Sequence, residues 1–153
     1  MTFEPITKEN RESLEALMLA YYQEGEDAET PVETIKDFIA YLFQKLCDGE
    51  IAGVMVKNDG PYEGFCLWMK DEAHSEFSEV PGYGTILEIG VKPEARKKGI
   101  GREIVRHAEA QMRKQGAASF YVSAYGPSEA FWERCSYYRS ERTAKNGLPI
   151  FVK

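Results

Sequence analysis

The segment from Tyr83 to Arg102 constrains the chain most. Ile86, Leu87, Ile89 and Val91 make an apolar, β-rich run, and Pro93 ends it because proline has no amide hydrogen for a ladder. The basic turn Arg96-Lys97-Lys98-Gly99-Ile100-Gly101-Arg102 follows, and Ile104, Val105, Ala108 and Met112 then recur at helical spacing. The expected unit is a strand, a glycine turn and a helix. A helix N-terminus carries unpaired amides and the positive end of the helix dipole. Glycine lets the backbone approach an anion closely. The segment therefore suits a phosphate or pyrophosphate. The glycines by themselves fit a solvated basic turn equally well.

Two familiar phosphate motifs are excluded. The Walker A pattern G-x-x-x-x-G-K-[ST] is absent. The Rossmann fingerprint needs a third glycine where this chain has Ile104, and it needs repeated strand–helix alternation. Strands are expected at 2–6, 51–57, 63–70, 83–92, 119–124, 137–143 and 148–152. Helices are expected at 9–24, at 31–47, from the glycine turn to a stop at Gly116, and at 128–135. Thr30 reads as an N-cap with Pro31 at the first helical position. Asn58-Asp59-Gly60-Pro61 and Asn146-Gly147 are hairpin turns. The order β-α-α-β-β-β-α-β-α-β-β is an α+β pattern, not a doubly wound one.

Composition narrows the partners. A chain of 153 residues with 43% hydrophobic and 29% charged residues is sized for one globular domain. Its net charge of −6 disfavours broad attachment to nucleic acid or to an anionic membrane. No apolar stretch approaches the ~20 residues of a membrane span, and Met1 to Pro5 lacks the features of a secretory signal. Cys47, Cys66 and Cys135 stand far apart, so neither a disulfide framework nor a zinc site is expected. The reading is a cytoplasmic, small-ligand protein with no metal, nucleic-acid or membrane partner. The acidity is not uniform, because Lys92, Arg96, Lys97, Lys98, Arg102 and Arg106 hold six of the nineteen basic residues.

The run Val91-x-Pro93-x-x-Arg96-x-x-Gly99-x-Gly101 resembles motif A of the GCN5-related N-acetyltransferase family, whose core is [RQ]-x-x-G-x-[GA]. Phe131-Trp132-Glu133-Arg134-Cys135-Ser136-Tyr137 resembles the family's F-Y-E-K-x-G-F segment. The element order is similar over nearly the whole chain. The resemblance implies one acyltransferase domain over 1–153 and acetyl-coenzyme A as cosubstrate. It implies a mixed, largely antiparallel sheet of about six or seven strands flanked by about four helices. It assigns the pyrophosphate to the backbone amides of Arg96, Lys97, Lys98, Gly99, Ile100, Gly101 and Arg102. It assigns the pantetheine arm to the backbone of Ile89 and Val91, with the acyl group where the sheet splays. Ser128, Phe131 and Trp132 would face the cofactor from the other side.

Acetyl transfer to an amine needs a group to take the amine's proton, and Glu88 on the strand is the candidate base. Partial burial would raise its pKa, and a half-exposed surface glutamate is the equal alternative. Some members carry the carboxylate where this chain has Thr85, and Glu79 is a weaker substitute. The family's usual tyrosine acid is Trp132 here, leaving Tyr125, Tyr137 and Tyr138 as candidates. The customary glycine before the last aromatic is Ser136. Cys135 has no histidine partner (the two are His74 and His107) and reads as structural. Acid in the loops, at Glu24, Glu26, Asp27 and Glu29 and at Asp71, Glu72, Glu76 and Glu79, fits either a cationic acceptor or simple solubility. The expected activity is N-acetylation by direct attack from a primary amine of a small molecule or peptide. A non-catalytic acyl-CoA-binding regulatory module and transfer of a different acyl group stay open. Family members are often dimers, so a homodimer falls within expectation.

Overall fold

Each long helix buries one stripe of its surface. On α1 (Arg11–Glu24) the stripe is Leu14, Leu17, Met18 and Tyr22, and on α2 (Val32–Cys47) it is Ile35, Ile39, Leu42 and Phe43. These are the three- and four-residue steps that place side chains on one helix face. The computed structural model describes residues 1–25 and 27–153, so the loop acid Glu26 lies outside the described residues. The remaining elements are β1 (Thr2–Pro5), β2 (Ala52–Lys57), β3 (Gly64–Lys70), β4 (Gly84–Val91), α3 (Ile100–Lys114), β5 (Phe120–Ser123), α4 (Glu129–Arg134), β6 (Tyr138–Thr143) and β7 (Pro149–Val152).

The order along the chain is the expected one, and the class is α+β. Seven strands form a mixed sheet in the order β1-β2-β3-β4-β5-β7-β6. The β1–β2, β5–β7 and β6–β7 pairs are antiparallel, and β4–β5 is parallel. The parallel ladder sets Gly84 opposite Phe120 and Thr85 opposite Tyr121, while β4 itself runs on to Val91. No helix among the described residues is long and apolar enough to cross a membrane.

The starts of α1 and α2 differ from expectation. The cap of α2 is Pro31, with Val32 as first helical residue. The Pro31 carbonyl accepts the first helical bond, from the Ile35 amide at 3.2 Å. Pro31 has ψ 140, so its φ suits a helix while its ψ is still extended. The Thr30 hydroxyl bonds to Asp27 Oδ1 at 3.4 Å instead of capping. Helix α1 begins after Asn10, whose side chain serves the incoming loop. Asn10 Oδ1 accepts from the Thr7 amide at 2.8 Å and its Nδ2 donates to the Pro5 carbonyl at 3.0 Å.

The chain forms two compact units, one of residues 1–67 with 88–104 and the other of 68–87 with 105–153. In the first, Val54, Met55 and Val56 of β2 are buried together with Phe65, Cys66 and Leu67 of β3. Such unbroken burial means both faces of these strands are covered. In the second, Val80, Tyr121, Ala144 and Ile150 form a cluster with Tyr83 and Val152 packed against it.

A fully buried carboxylate organises the second unit. Asp71 Oδ2 accepts the Tyr121 hydroxyl at 2.6 Å and the amides of Glu79 and Val80 at 2.8 Å each. Asp71 Oδ1 is buried without a hydrogen bond of good geometry, with the Ser78 hydroxyl as the neighbour that stabilises its charge. Burial alone would raise the Asp71 pKa, but these donors outweigh it and hold the carboxyl below its usual range. The same donors make the loop before β4 a folded element. Asp71→Ala leaves three donors without their acceptor and is expected to cost about 3 kcal/mol in urea unfolding. Because the folded pKa is depressed, this stabilisation is full at neutral pH. It is lost as pH falls through and below the ordinary carboxylate range, so the wild-type advantage over Asp71→Ala should shrink in acid.

Candidate active site

The path from β4 to α3 is built in short steps. After Val91 a 3-10 turn spans Pro93–Ala95, with the Ala95 amide on the Lys92 carbonyl at 2.9 Å and Ala95 itself buried. Lys97 then takes φ 63 and Gly99 takes φ 82. Ile100 is buried and starts α3. The Glu103 amide reaches the Gly99 carbonyl at 3.2 Å. The amides of Ile100, Gly101 and Arg102 come before that bond and have no carbonyl one turn earlier to accept them. A Cβ on Gly99 would meet nothing within 4 Å, so glycine is required there by the left-handed backbone and not by crowding. Lys97, Lys98 and Arg102 are exposed around the turn. Free amides, a helix dipole, open space and three cations together fit a pyrophosphate.

Arg96 behaves differently from its basic neighbours. Its Nε donates to the Val91 carbonyl at 2.8 Å, and its Nη2 is paired with Glu24 at the end of α1. The guanidinium thus ties the turn back to the end of β4 and to α1. Glu24 and Arg96 stand 72 positions apart, so no spacing rule could have linked them.

A cavity of about 540 Å³ lies along α1 in the same unit. Its walls include Leu17, Ala20, Tyr21, Tyr62, Phe65, Gly90 and Val91, and Glu24 also lines it. Gly90 is there by necessity, because a Cβ would lie 2.6 Å from the Phe65 ring and 3.1 Å from the Tyr21 ring. Glu88 is half-buried and stands two residues before Gly90, which puts both on one face of β4. The buried Tyr22 hydroxyl has no hydrogen bond of good geometry, yet it is close enough to Glu88 to feel its charge. Burial first, and the Glu88 carboxylate second, push the Tyr22 phenol above its ordinary range. The Cys66 thiol is raised by the same two causes in the same order. Ile89 and Val91 are half-buried on the same strand, and Thr85 is buried.

The other named side chains lie in the second unit. Tyr137 is fully buried, and its hydroxyl donates to Glu109 Oε2 at 2.7 Å. Lys153 Nζ completes that site at 2.9 Å from Glu109 Oε1. Tyr138 on β6 is 60% exposed, and Tyr125 after β5 is half-buried. The Ser128 hydroxyl donates to the Tyr125 carbonyl at 2.7 Å. A 3-10 turn, Gly126–Ser128, precedes α4, so the helix starts one residue later than expected. Trp132 is buried, with its ring edge-to-face at 5.0 Å from Phe131 and 5.2 Å from Tyr137. Cys135 is buried and forms no disulfide. The Glu79 carboxylate accepts the Lys145 amide at 3.0 Å. Ser136 closes α4 with φ 69, the left-handed position where helices prefer glycine.

The Acetyltransferase (GNAT) family model matches residues 11–137, and the chain belongs to that family. Its class of reaction is N-acetyl transfer. A GCN5-related N-acetyltransferase from Ralstonia eutropha JMP134 shares the fold with a TM-score of 0.75 at 23% identity, over 94% of this chain and 96% of that one. The PaiA N-acetyltransferase of Thermoplasma acidophilum, solved with coenzyme A, gives 0.73 at 16% identity, over 100% and 99%. An aminoglycoside 6'-N-acetyltransferase from Acinetobacter haemolyticus gives 0.70 at 15% identity, over 94% and 95%. No curated protein matches the sequence.

Two substitutions test this local reading. Ser136→Gly removes a side chain from a positive-φ position and should raise stability by about 1 kcal/mol in chemical unfolding. Gly90→Ala should lower it by about 1–3 kcal/mol, because the Phe65 and Tyr21 rings cannot both retreat from a packed contact.

Proposed function

We propose that this chain is a single-domain enzyme that transfers the acetyl group of acetyl-coenzyme A to a primary amine of a small molecule or peptide. The observation that carries the reading is the turn into α3, with its free amides at the helix start, Gly99 at φ 82 and open space beside it. The pyrophosphate is assigned to the amides from Lys97 to Arg102, with Lys97, Lys98 and Arg102 supplying charge; the Arg96 amide, also expected there, is taken by the Pro93 carbonyl at 3.3 Å. The backbone of Ile89 and Val91 is assigned to the pantetheine arm, and Ser128, Phe131 and Trp132 keep the role the family resemblance gives them. Bound acetyl-coenzyme A supplies an activated acyl carbon.

Glu88 is the base that removes the proton as the amine attacks. The new bond joins the amine nitrogen to the acyl carbon, the carbon–sulfur bond breaks, and the thiol leaves. Among the tyrosines, Tyr125 is the candidate to protonate the thiolate, since the Tyr137 hydroxyl is committed to Glu109. A thiolate also leaves without a dedicated acid, because its pKa is only moderately above neutral. Acid at Asp27 and Glu29 beside α1 supports a cationic acceptor. That an aminoglycoside acetyltransferase shares the fold is consistent with that class.

An acceptor-amine screen that follows free thiol release tests the activity. Glu88→Gln should lower kcat by at least about 100-fold, the contribution of a general base, and should remove the acidic limb of the pH–rate profile. Gly99→Glu places a carboxylate at the anion turn and should weaken coenzyme A binding at least tenfold in calorimetry, the direction the charge requires. Trp132 at the usual tyrosine position favours a second reading, a module that binds acyl-coenzyme A without chemistry. Tight binding with no turnover across a broad amine panel would support it.

A further inference from the structure

Arg96 is the motif residue whose side chain is already spoken for. One nitrogen holds the last carbonyl of β4, and another holds the carboxylate that ends α1. Among the described residues, those that follow have no comparable brace. Lys97 and Gly99 sit at positive φ, and a turn built from such conformations persists only when its surroundings fix it. On the C-terminal side the anchor is buried Ile100, and on the N-terminal side it is buried Ala95. Arg96 lies between them, and its side chain ties the exposed part of the turn to the end of β4 and to α1. Glu24 supplies the only charge in that connection among the described contacts. It is 40% exposed against 42% for Arg96, so the pair is a modest one energetically. Its effect would therefore appear in the geometry of the turn and not in global stability.

We infer that Glu24 is a positioning residue for the pyrophosphate turn, acting through Arg96. This rests on the cofactor reading proposed above. It gives the acid at the end of α1 a role different from attracting a cationic acceptor. Without Glu24, Arg96 keeps its bond to Val91 but loses the second point that fixes its plane. The amides from Lys97 to Arg102 then sample more orientations, and an anion must order them on binding.

The test is coenzyme A calorimetry on the full chain, with steady-state kinetics on both substrates. Glu24→Ala should weaken coenzyme A affinity by about threefold, the size of an exposed ion pair. It should raise the KM for acetyl-coenzyme A alike, while the KM for the amine and the melting temperature stay put. Arg96→Ala loses both contacts and should weaken affinity further. The double variant should match Arg96→Ala, because the Glu24 effect runs through Arg96. Glu24→Asp, which retains the charge, should recover part of the loss. The inference is overturned if Glu24→Ala leaves coenzyme A affinity unchanged, if the two effects simply add, or if the amine KM rises alone. That last result would make Glu24 a counter-ion for the acceptor. Wild-type protein that fails to bind coenzyme A would instead sink the cofactor reading itself, a result separate from any variant.

Discussion

Passing from β4 into α3 requires the backbone to take a left-handed conformation twice, at Lys97 and at Gly99. Glycine does this freely, and lysine does it at a cost of about 1–2 kcal/mol. That cost is tolerable because both ends of the turn are pinned by buried residues, Ala95 and Ile100. From Ile100 to Arg102 the amides that begin α3 have no carbonyl one turn earlier to accept them. An arrangement that is unfavourable for folding alone becomes favourable once an anion accepts those bonds. The cofactor role proposed for the turn depends on this conversion of backbone strain and unmet hydrogen bonds into binding.

The candidate base is set in a second environment of the same unit. Glu88 shares a face of β4 with Gly90, and Gly90 has no side chain because the Phe65 and Tyr21 rings fill its space. The rings bring α1 close to the strand and place the Tyr22 phenol within reach of the Glu88 charge. Glu88 thus sits on a half-buried strand beside the buried Tyr22 phenol. The second unit meets its buried charges differently. Asp71 and Glu109 are each surrounded by donors, from tyrosine hydroxyls, amides and Lys153. Those networks are structural, and they hold the Tyr137 hydroxyl on Glu109.

The strand–turn–helix segment was legible because it is local. Pro93, Gly99 and the apolar spacing from Ile104 to Met112 each report a backbone preference within a few residues. The element order and the α+β class followed from the same signals, and so did the hairpin turn at Asn146-Gly147. The start of α2 falls one residue later than its sequence suggests, because proline's φ is helical while its ψ is free to stay extended. Ser136 stood out as a departure from glycine, but only its observed φ of 69 says that the backbone there still requires what glycine provides.

By itself the sequence determined which segments become strands and helices, where charge concentrates, and that a basic glycine turn opens α3. Tertiary structure alone decided that β7 lies between β5 and β6, that Glu24 meets Arg96, that Tyr22 faces Glu88, and that Asp71 and Glu109 are buried with their donors. The division has a physical cause. Backbone preferences and hydrophobic periods act over a few residues and are written in adjacent letters. Pairing of charges and burial of polar groups depend on which distant segments share a low-dielectric interior, and that is fixed only when the chain packs.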